Sequence, residues 1–183
     1  KTFIALYHAL LDVMNPDDDR FKKIIIIRSA VSSRDQGFLP GTLDEKMEVY
    51  EAPYHSIFHD ITGKADAYEK LKDMGKVEFA SSSFLRGSTF NNAIIVFDEA
   101  QNENFNTVST VITRVGRDCK IILCGDGAQN DLVTNKNDVS GFRDVVAVTS
   151  KMEDFRHFKF TVDDIVRSPF VKAWIMACEK YGI

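Results

Sequence analysis

Apolar and polar positions alternate along this chain in blocks whose lengths separate helices from strands. Phe3 to Met14 is apolar on most faces and stops at Asn15-Pro16-Asp17-Asp18-Asp19, an acidic turn that ends a helix. Lys22 and Lys23 lead into Ile24 to Ile27, a short branched run closed by Arg28 that predicts a strand. A polar loop from Arg28 to Gln36 and the turn Gly37-Phe38-Leu39-Pro40-Gly41 follow. A helical stretch then opens at Thr42, where Thr42-Leu43-Asp44-Glu45 has the form of a capping box. Pro53 is expected to interrupt that helix and restart it, because Pro suits a first-turn position. Gly63 to Met74 reads as a loop and a short charged helix, and Lys76 to Ala80 alternates as a strand near a sheet edge does. Ser81 to Thr89 is rich in hydroxyls and fits either a loop on nucleic-acid phosphates or an ordinary helix cap and turn. Ala93 to Phe97 is apolar without interruption, the pattern of a strand buried on both faces. Phe105 to Val115 has helical spacing, Lys120 to Cys124 predicts another short buried strand, and Gly141 to Val148 fits a short helix. Phe155 to Phe160 is read as a last strand and Thr161 to Asp164 as a second capping box. Ser168-Pro169 opens a helix running to Gly182, with Trp174 expected in the core. Helix and strand in alternation predict an α/β fold.

Candidate chemistry sits at the ends of the strands. The Ala93 to Phe97 run ends in two carboxylates, Asp98 and Glu99, where open α/β sheets place their ligands. They read either as a Walker B pair or as a strand end followed by a polar turn. In the first reading Asp98 holds hydrated Mg²⁺ and Glu99 polarises a water aimed at a γ-phosphate. On its own the stretch supports both equally. Lys1-Thr2, followed by apolar residues, looks like the tail of a GxxxxGK[ST] phosphate loop, with Lys on the phosphates and Thr on Mg²⁺. The predicted strand Lys120 to Cys124 also ends in polar residues, Gly125-Asp126-Gly127-Ala128-Gln129, and Gln129 could reach a γ-phosphate or the attacking water. His55 and His59 lie one helical turn apart, but no third ligand accompanies them and they are read as surface or half-buried histidines.

Composition narrows the class. The 183 residues are the length of one domain, and 44% hydrophobic content is ample for a core. No apolar run approaches the roughly 20 residues needed to cross a bilayer. Cys119, Cys124 and Cys178 show no metal-ligand spacing and are read as thiols of a reducing cytoplasm. A net charge of -4 argues against nucleic-acid binding through bulk charge, not against a local basic groove.

The chain resembles the ATPase domain of the PhoH-like family over nearly its whole length. The residues that carry the resemblance are Lys1-Thr2, Gly37 to Gly41, Phe84-Leu85-Arg86-Gly87, Phe97 to Asn102, Thr113-Arg114-Val115-Gly116, Gly125-Asp126 with Gln129, and Asp164 to Pro169. Ser29 stands where the family often has Pro, and Ser168 where it often has His. The resemblance implies a P-loop NTPase of RecA type related to superfamily one helicases. Its sheet would be mostly parallel, flanked by helices on both faces. It further implies ATP binding, Mg²⁺-dependent hydrolysis, a homo-oligomeric ring (a hexamer is suspected), and action on single-stranded RNA in some relatives. Mapped onto this chain, Lys1 contacts the phosphates, Thr2 and Asp98 hold Mg²⁺, and Glu99 and Gln129 serve the water and the γ-phosphate. Arg167, or else Arg114, is the arginine that neutralises transition-state charge. The glycine half of the phosphate loop does not precede Lys1, so residues 1–183 are expected to be one domain cut at the Walker A motif. Without the strand that normally leads into Lys1, such a fragment is expected to fold poorly or to fail to bind ATP. The alternative reading is a nucleotide-gated protein-interaction module with slow hydrolysis and no motor activity.

Overall fold

In the computed structural model the described residues are 1–28, 43–82, 89–126 and 141–181, the side chains of 43–46 and 179 excepted. They fall into two compact units, Lys1–Val146 and Ala147–Ile183.

The first unit is built on a four-stranded, all-parallel sheet. Its elements in order are α1 (Thr2–Val13), β1 (Lys23–Arg28), α2 (Leu43–Thr62), α3 (Ala67–Asp73), β2 (Val77–Ser81), β3 (Ala93–Asp98), α4 (Phe105–Ile112), β4 (Cys119–Leu123) and α5 (Phe142–Thr149), whose last turn passes into the second unit. The strands lie in the order β2-β1-β3-β4. From β1 the chain moves outward to β2, crosses back over β1 to β3, and then moves outward the other way to β4. That reversal makes a switch point between β1 and β3, whose carboxyl ends pair Arg28 with Asp98.

Period-two alternation in β1 and β3 divides the core into two layers. Ile24, Ile26, Ile94 and Val96 point to one face and pack with α1, α2 and α3 residues including Leu6, Leu10, Tyr54, Phe58 and Tyr68. Ile25, Ile27, Ala93, Ile95 and Phe97 point to the other, against Val108 and Val111 of α4 and Val145 of α5. Helices therefore cover both faces, as expected for the P-loop type. All six β3 residues are buried, and each large apolar side chain withdrawn from water stabilises the fold by roughly 1.5–3 kcal/mol.

Two expectations for this region need correction. Helix α2 runs unbroken through Pro53. Pro53 is exposed, and the carbonyl it leaves without an amide belongs to Val49, which is 58% exposed, so water can satisfy it. Strand β4 is half-buried rather than buried, with Lys120 in solvent, because it lies at the edge of the described sheet. The hydroxyl-rich stretch Ser81 to Thr89, read as either a phosphate-contacting loop or an ordinary cap and turn, is described only at its ends, Ser81 closing β2. The rest of it, the turn Gly37 to Gly41, the capping box at Thr42 and Gln129 lie outside the described residues.

The second unit holds a short 3₁₀ turn at Val162–Asp164 and helix α6 (Pro169–Tyr181). The Thr161 N–H donates to the Asp164 carboxylate at 2.6 Å, so the predicted capping interaction is present, on a 3₁₀ turn. It holds the Asp164 carboxyl below the usual carboxylate range. Pro169 opens α6 as expected. No strand forms over Phe155 to Phe160, whose side chains are mostly exposed. Trp174 is 66% exposed rather than core. A segment this short has little capacity to bury surface. Among the described residues no helix is long and apolar enough to cross a membrane.

Candidate functional site

Asp98 closes β3 with the same parity as Ile94 and Val96, so the pleat aims its carboxylate into the layer of α1 and α2. There it is 5% exposed. The Thr2 hydroxyl, from the first residue of α1, donates to its Oδ1 at 2.6 Å. The Tyr54 hydroxyl, from α2, donates to its Oδ2 at 2.9 Å. Burial first, then the Asp98 charge, pushes the Tyr54 phenol far above its ordinary range, with the Arg28 guanidinium opposing. Tyr54 thus stays protonated, and a donor, at neutral pH.

Glu99 leaves the strand direction at once. Its backbone is left-handed, φ 53° and ψ 38°, a conformation costly for a residue with a Cβ. The turn is held because the Ala100 N–H donates to the Cys124 carbonyl at 2.9 Å, just past β4. The Glu99 side chain accepts from Gln101 Nε2 at 2.6 Å, and Gln101 Oε1 accepts the Asp126 N–H at 3.0 Å. Gln101 is only 2% exposed, so its amide is a buried brace between the loops after β3 and β4. Gly125 lets that second loop pass close to Phe142, since a Cβ there would come within 2.4 Å of the ring. Lys1 Nζ lies 2.9 Å from Asp126 Oδ2, a solvent-exposed pair worth little in stability.

Lys1, Thr2, Asp98, Glu99 and Asp126 are therefore joined through these contacts at the carboxyl edge of the sheet. Arg114 is elsewhere. Its carbonyl accepts the Phe90 N–H ahead of β3, at the opposite end of that strand from Asp98. Arg167 is exposed and belongs to the second unit, between the 3₁₀ turn and α6. His59 is exposed, and His55 is half-buried, 3.4 Å from Glu69 and against the Tyr68 ring. Neither joins a metal cluster, and among the described residues no three His, Cys, Asp or Glu gather around a common point.

Tyr54 and Gln101 are the site residues that sequence reasoning passed over. Gln101 stood inside the quoted motif, but its partner Asp126 is 25 positions away. Nothing in the local pattern marked Tyr54 except its place on an apolar helix face. A separate hollow of about 460 Å³ is lined by Glu48, Glu51, Ala52, His55 and Glu69 on α2 and α3. Its carboxylates make it a poor seat for a polyanion.

The donor set at Asp98 suits a hard cation that keeps most of its waters. Mg²⁺ takes one or two carboxylates plus substrate phosphates rather than a closed protein cage, and Asp98 with Thr2 offers that chemistry.

The parallel sheet, its helices on both faces and the Thr2–Asp98 bond at its carboxyl edge define an α/β fold of the P-loop NTPase type. The chain belongs to the PhoH-like protein family, whose profile matches residues 1–179. It is similar to a PhoH-like protein of Bacillus subtilis (strain 168), 34% identical over 181 residues, 98% of this chain and 55% of that protein. A PhoH-like protein of Mycobacterium tuberculosis (strain H37Rv) is 33% identical over 182 residues, 99% of this chain and 50% of that one. Protein PhoH of Escherichia coli (strain K12) is 33% identical over 170 residues, 92% of this chain and 47% of that protein. The chain spans about half the length of the curated relatives it matches.

Proposed function

We propose that the protein binds ATP with Mg²⁺ at the carboxyl edge of β3 and hydrolyses it. The observation that carries this reading is the 2.6 Å bond from Thr2 to Asp98, which joins two residues 96 positions apart in a pairing a phosphate-loop threonine and a Walker B acid require. Helix α1 opens beside them without a side-chain cap and with no acid in its first turn, which favours an anion at its amino terminus. Lys1 exchanges its exposed partner Asp126 for the β- and γ-phosphate oxygens. Thr2 and Asp98 hold Mg²⁺, which, when bound, neutralises charge developing on the transferred phosphoryl group. Glu99 orients or deprotonates the attacking water, held by Gln101, and Gln129 senses the γ-phosphate. An arginine completes the charge balance. Arg114 stands at the far end of β3 and can serve only from a neighbouring subunit of a homo-oligomeric ring, hexameric in the reading adopted here. Arg167 remains the first choice.

Hydrolysis is coupled in this reading to single-stranded RNA, in a cytoplasmic protein. A motor of this kind uses paired folds, so a second subunit would supply what one sheet lacks. The second reading, a nucleotide-gated protein-interaction module, is favoured by the net charge of -4.

The test is ATP turnover by the intact protein with and without single-stranded RNA, alongside Asp98→Asn and Arg167→Ala. Expected are stimulation by RNA, loss of Mg²⁺-dependent turnover in Asp98→Asn, and a fall of about a thousandfold in Arg167→Ala with ATP binding spared. Turnover indifferent to RNA selects the interaction module. Turnover unchanged in Asp98→Asn removes Asp98 from the metal site, and an intact wild type with no ATP turnover removes the enzyme reading.

A further inference from the structure

We propose that Tyr54 is a positioning residue for the metal–nucleotide site, acting through Asp98. This rests on the reading of Asp98 as the acid that holds Mg²⁺. The two oxygens of Asp98 are gripped by hydroxyls from different helices: Oδ1 by Thr2 at 2.6 Å and Oδ2 by Tyr54 at 2.9 Å. A carboxylate held at one oxygen can swing about that bond, whereas one held at both has its plane set. An ionised carboxylate offers about four lone-pair sites, so two hydroxyl bonds leave capacity for waters of a bound cation. Tyr54 itself has no freedom to follow. It is fully buried, with its ring 5.7 Å from that of Phe79 on β2. Arg28, next to Asp98 in the β1–β3 register, contributes positive charge beside the same phenol. Helix α2 thereby reaches the chemistry through one hydroxyl, without touching nucleotide.

Partners that orient a metal ligand typically affect metal affinity by 10- to 100-fold. The test is a Mg²⁺ titration of the intact protein with a fluorescent ATP analogue at saturation, read as the Mg²⁺ concentration at half-effect, for wild type, Tyr54→Phe and Tyr54→His. Analogue affinity and the thermal midpoint are read in parallel in EDTA. Tyr54→Phe keeps the ring, so EDTA-state analogue affinity should be unchanged while the Mg²⁺ midpoint rises about tenfold or more. Tyr54→His, whose ring nitrogen stops short of the place of the phenol oxygen, should raise the midpoint as Tyr54→Phe does, and carries the same comparison should Tyr54→Phe fail to fold. A Mg²⁺ midpoint equal to wild type in a folded variant overturns the proposal and leaves Tyr54 as packing alone. A wild type that shows no Mg²⁺-dependent step overturns the metal reading of Asp98, and this proposal with it.

Discussion

If the protein hydrolyses ATP as proposed, replacing Gln101 with Leu should slow hydrolysis without loosening nucleotide. The side chain is 2% exposed and makes two bonds, donating to the Glu99 carboxylate at 2.6 Å and accepting the Asp126 N–H at 3.0 Å. A hydrogen bond to a charged group contributes roughly 1.5–3 kcal/mol and a neutral one about 0.5–1.5 kcal/mol. The first alone sets how often Glu99 occupies its held position. At about 1.36 kcal/mol per factor of ten, its loss predicts a fall in kcat of roughly 10- to 150-fold. The backbone of Glu99 should persist, because it is fixed by the Ala100 N–H on the Cys124 carbonyl. Nucleotide affinity should hold within about threefold, since Gln101 touches neither Lys1 nor Thr2 and only interactions made in the transition state act on kcat. Single-turnover hydrolysis and equilibrium binding of the same nucleotide separate the two quantities. Gln101→Glu, which sets a second carboxylate beside Glu99, should be no faster than Gln101→Leu. A kcat within twofold of wild type (about 0.4 kcal/mol) in a folded Gln101→Leu protein refutes the reasoning.

The buried carboxylate of Glu51 allows a stability test free of the chemistry. Its carboxylate accepts from the Tyr68 hydroxyl at 3.1 Å and from Lys72 at 2.6 Å, and Tyr68 is fully buried. Glu51→Leu leaves that hydroxyl without its acceptor and should cost about 1–3 kcal/mol, while adding Tyr68→Phe should recover part of the loss; a double variant less stable than the single one would contradict this. The Cys124 thiol is pushed up to about 12 by burial, with Asp98 adding to the effect. In the unfolded chain it ionises near 9.0, so the folded state binds the extra proton between those values and stability should fall as pH rises through that window. Iodoacetamide at pH 8 should leave Cys124 unmodified in folded protein, and rapid labelling there would show the thiol to be exposed.

The sheet was legible in the sequence because its strands are self-announcing. Ile24 to Ile27 and Ala93 to Phe97 are short, branched and bounded by charge, and both appear within a residue of the expected limits. What the pattern could not convey was neighbourhood. Lys120 to Cys124 has the same apolar look as Ala93 to Phe97, yet only strand order decides that one is central and the other an edge. Pro53 was weighed by its local rule, while its tolerance depends on which side of α2 faces water. Phe155 to Phe160 carries three aromatics but pairs with no strand among the described residues, and Trp174 shows that a large aromatic on a helix need not be core. The meeting of Lys1-Thr2 with the Asp98 edge was anticipated from motif chemistry. Tyr54 and Gln101 were not, because each bonds a partner 44 or 25 positions away.

The Asp98-Glu99 dipeptide shows how adjacent residues of like charge can be given different tasks. In a continued strand the pleat would send the two carboxylates to opposite faces. Here the chain changes conformation between them. Asp98 is the last β residue and stays in the α1–α2 layer, where two hydroxyls hold it. Glu99 turns left-handed, which for a residue with a Cβ costs about 1–2 kcal/mol. That cost is met by the Ala100–Cys124 backbone bond and by the Gln101 brace, both absent if β3 simply continued. Glycine at position 99 would relieve the strain and forfeit the carboxylate. The left-handed turn is therefore the physical means by which one acid leaves the layer that holds the other.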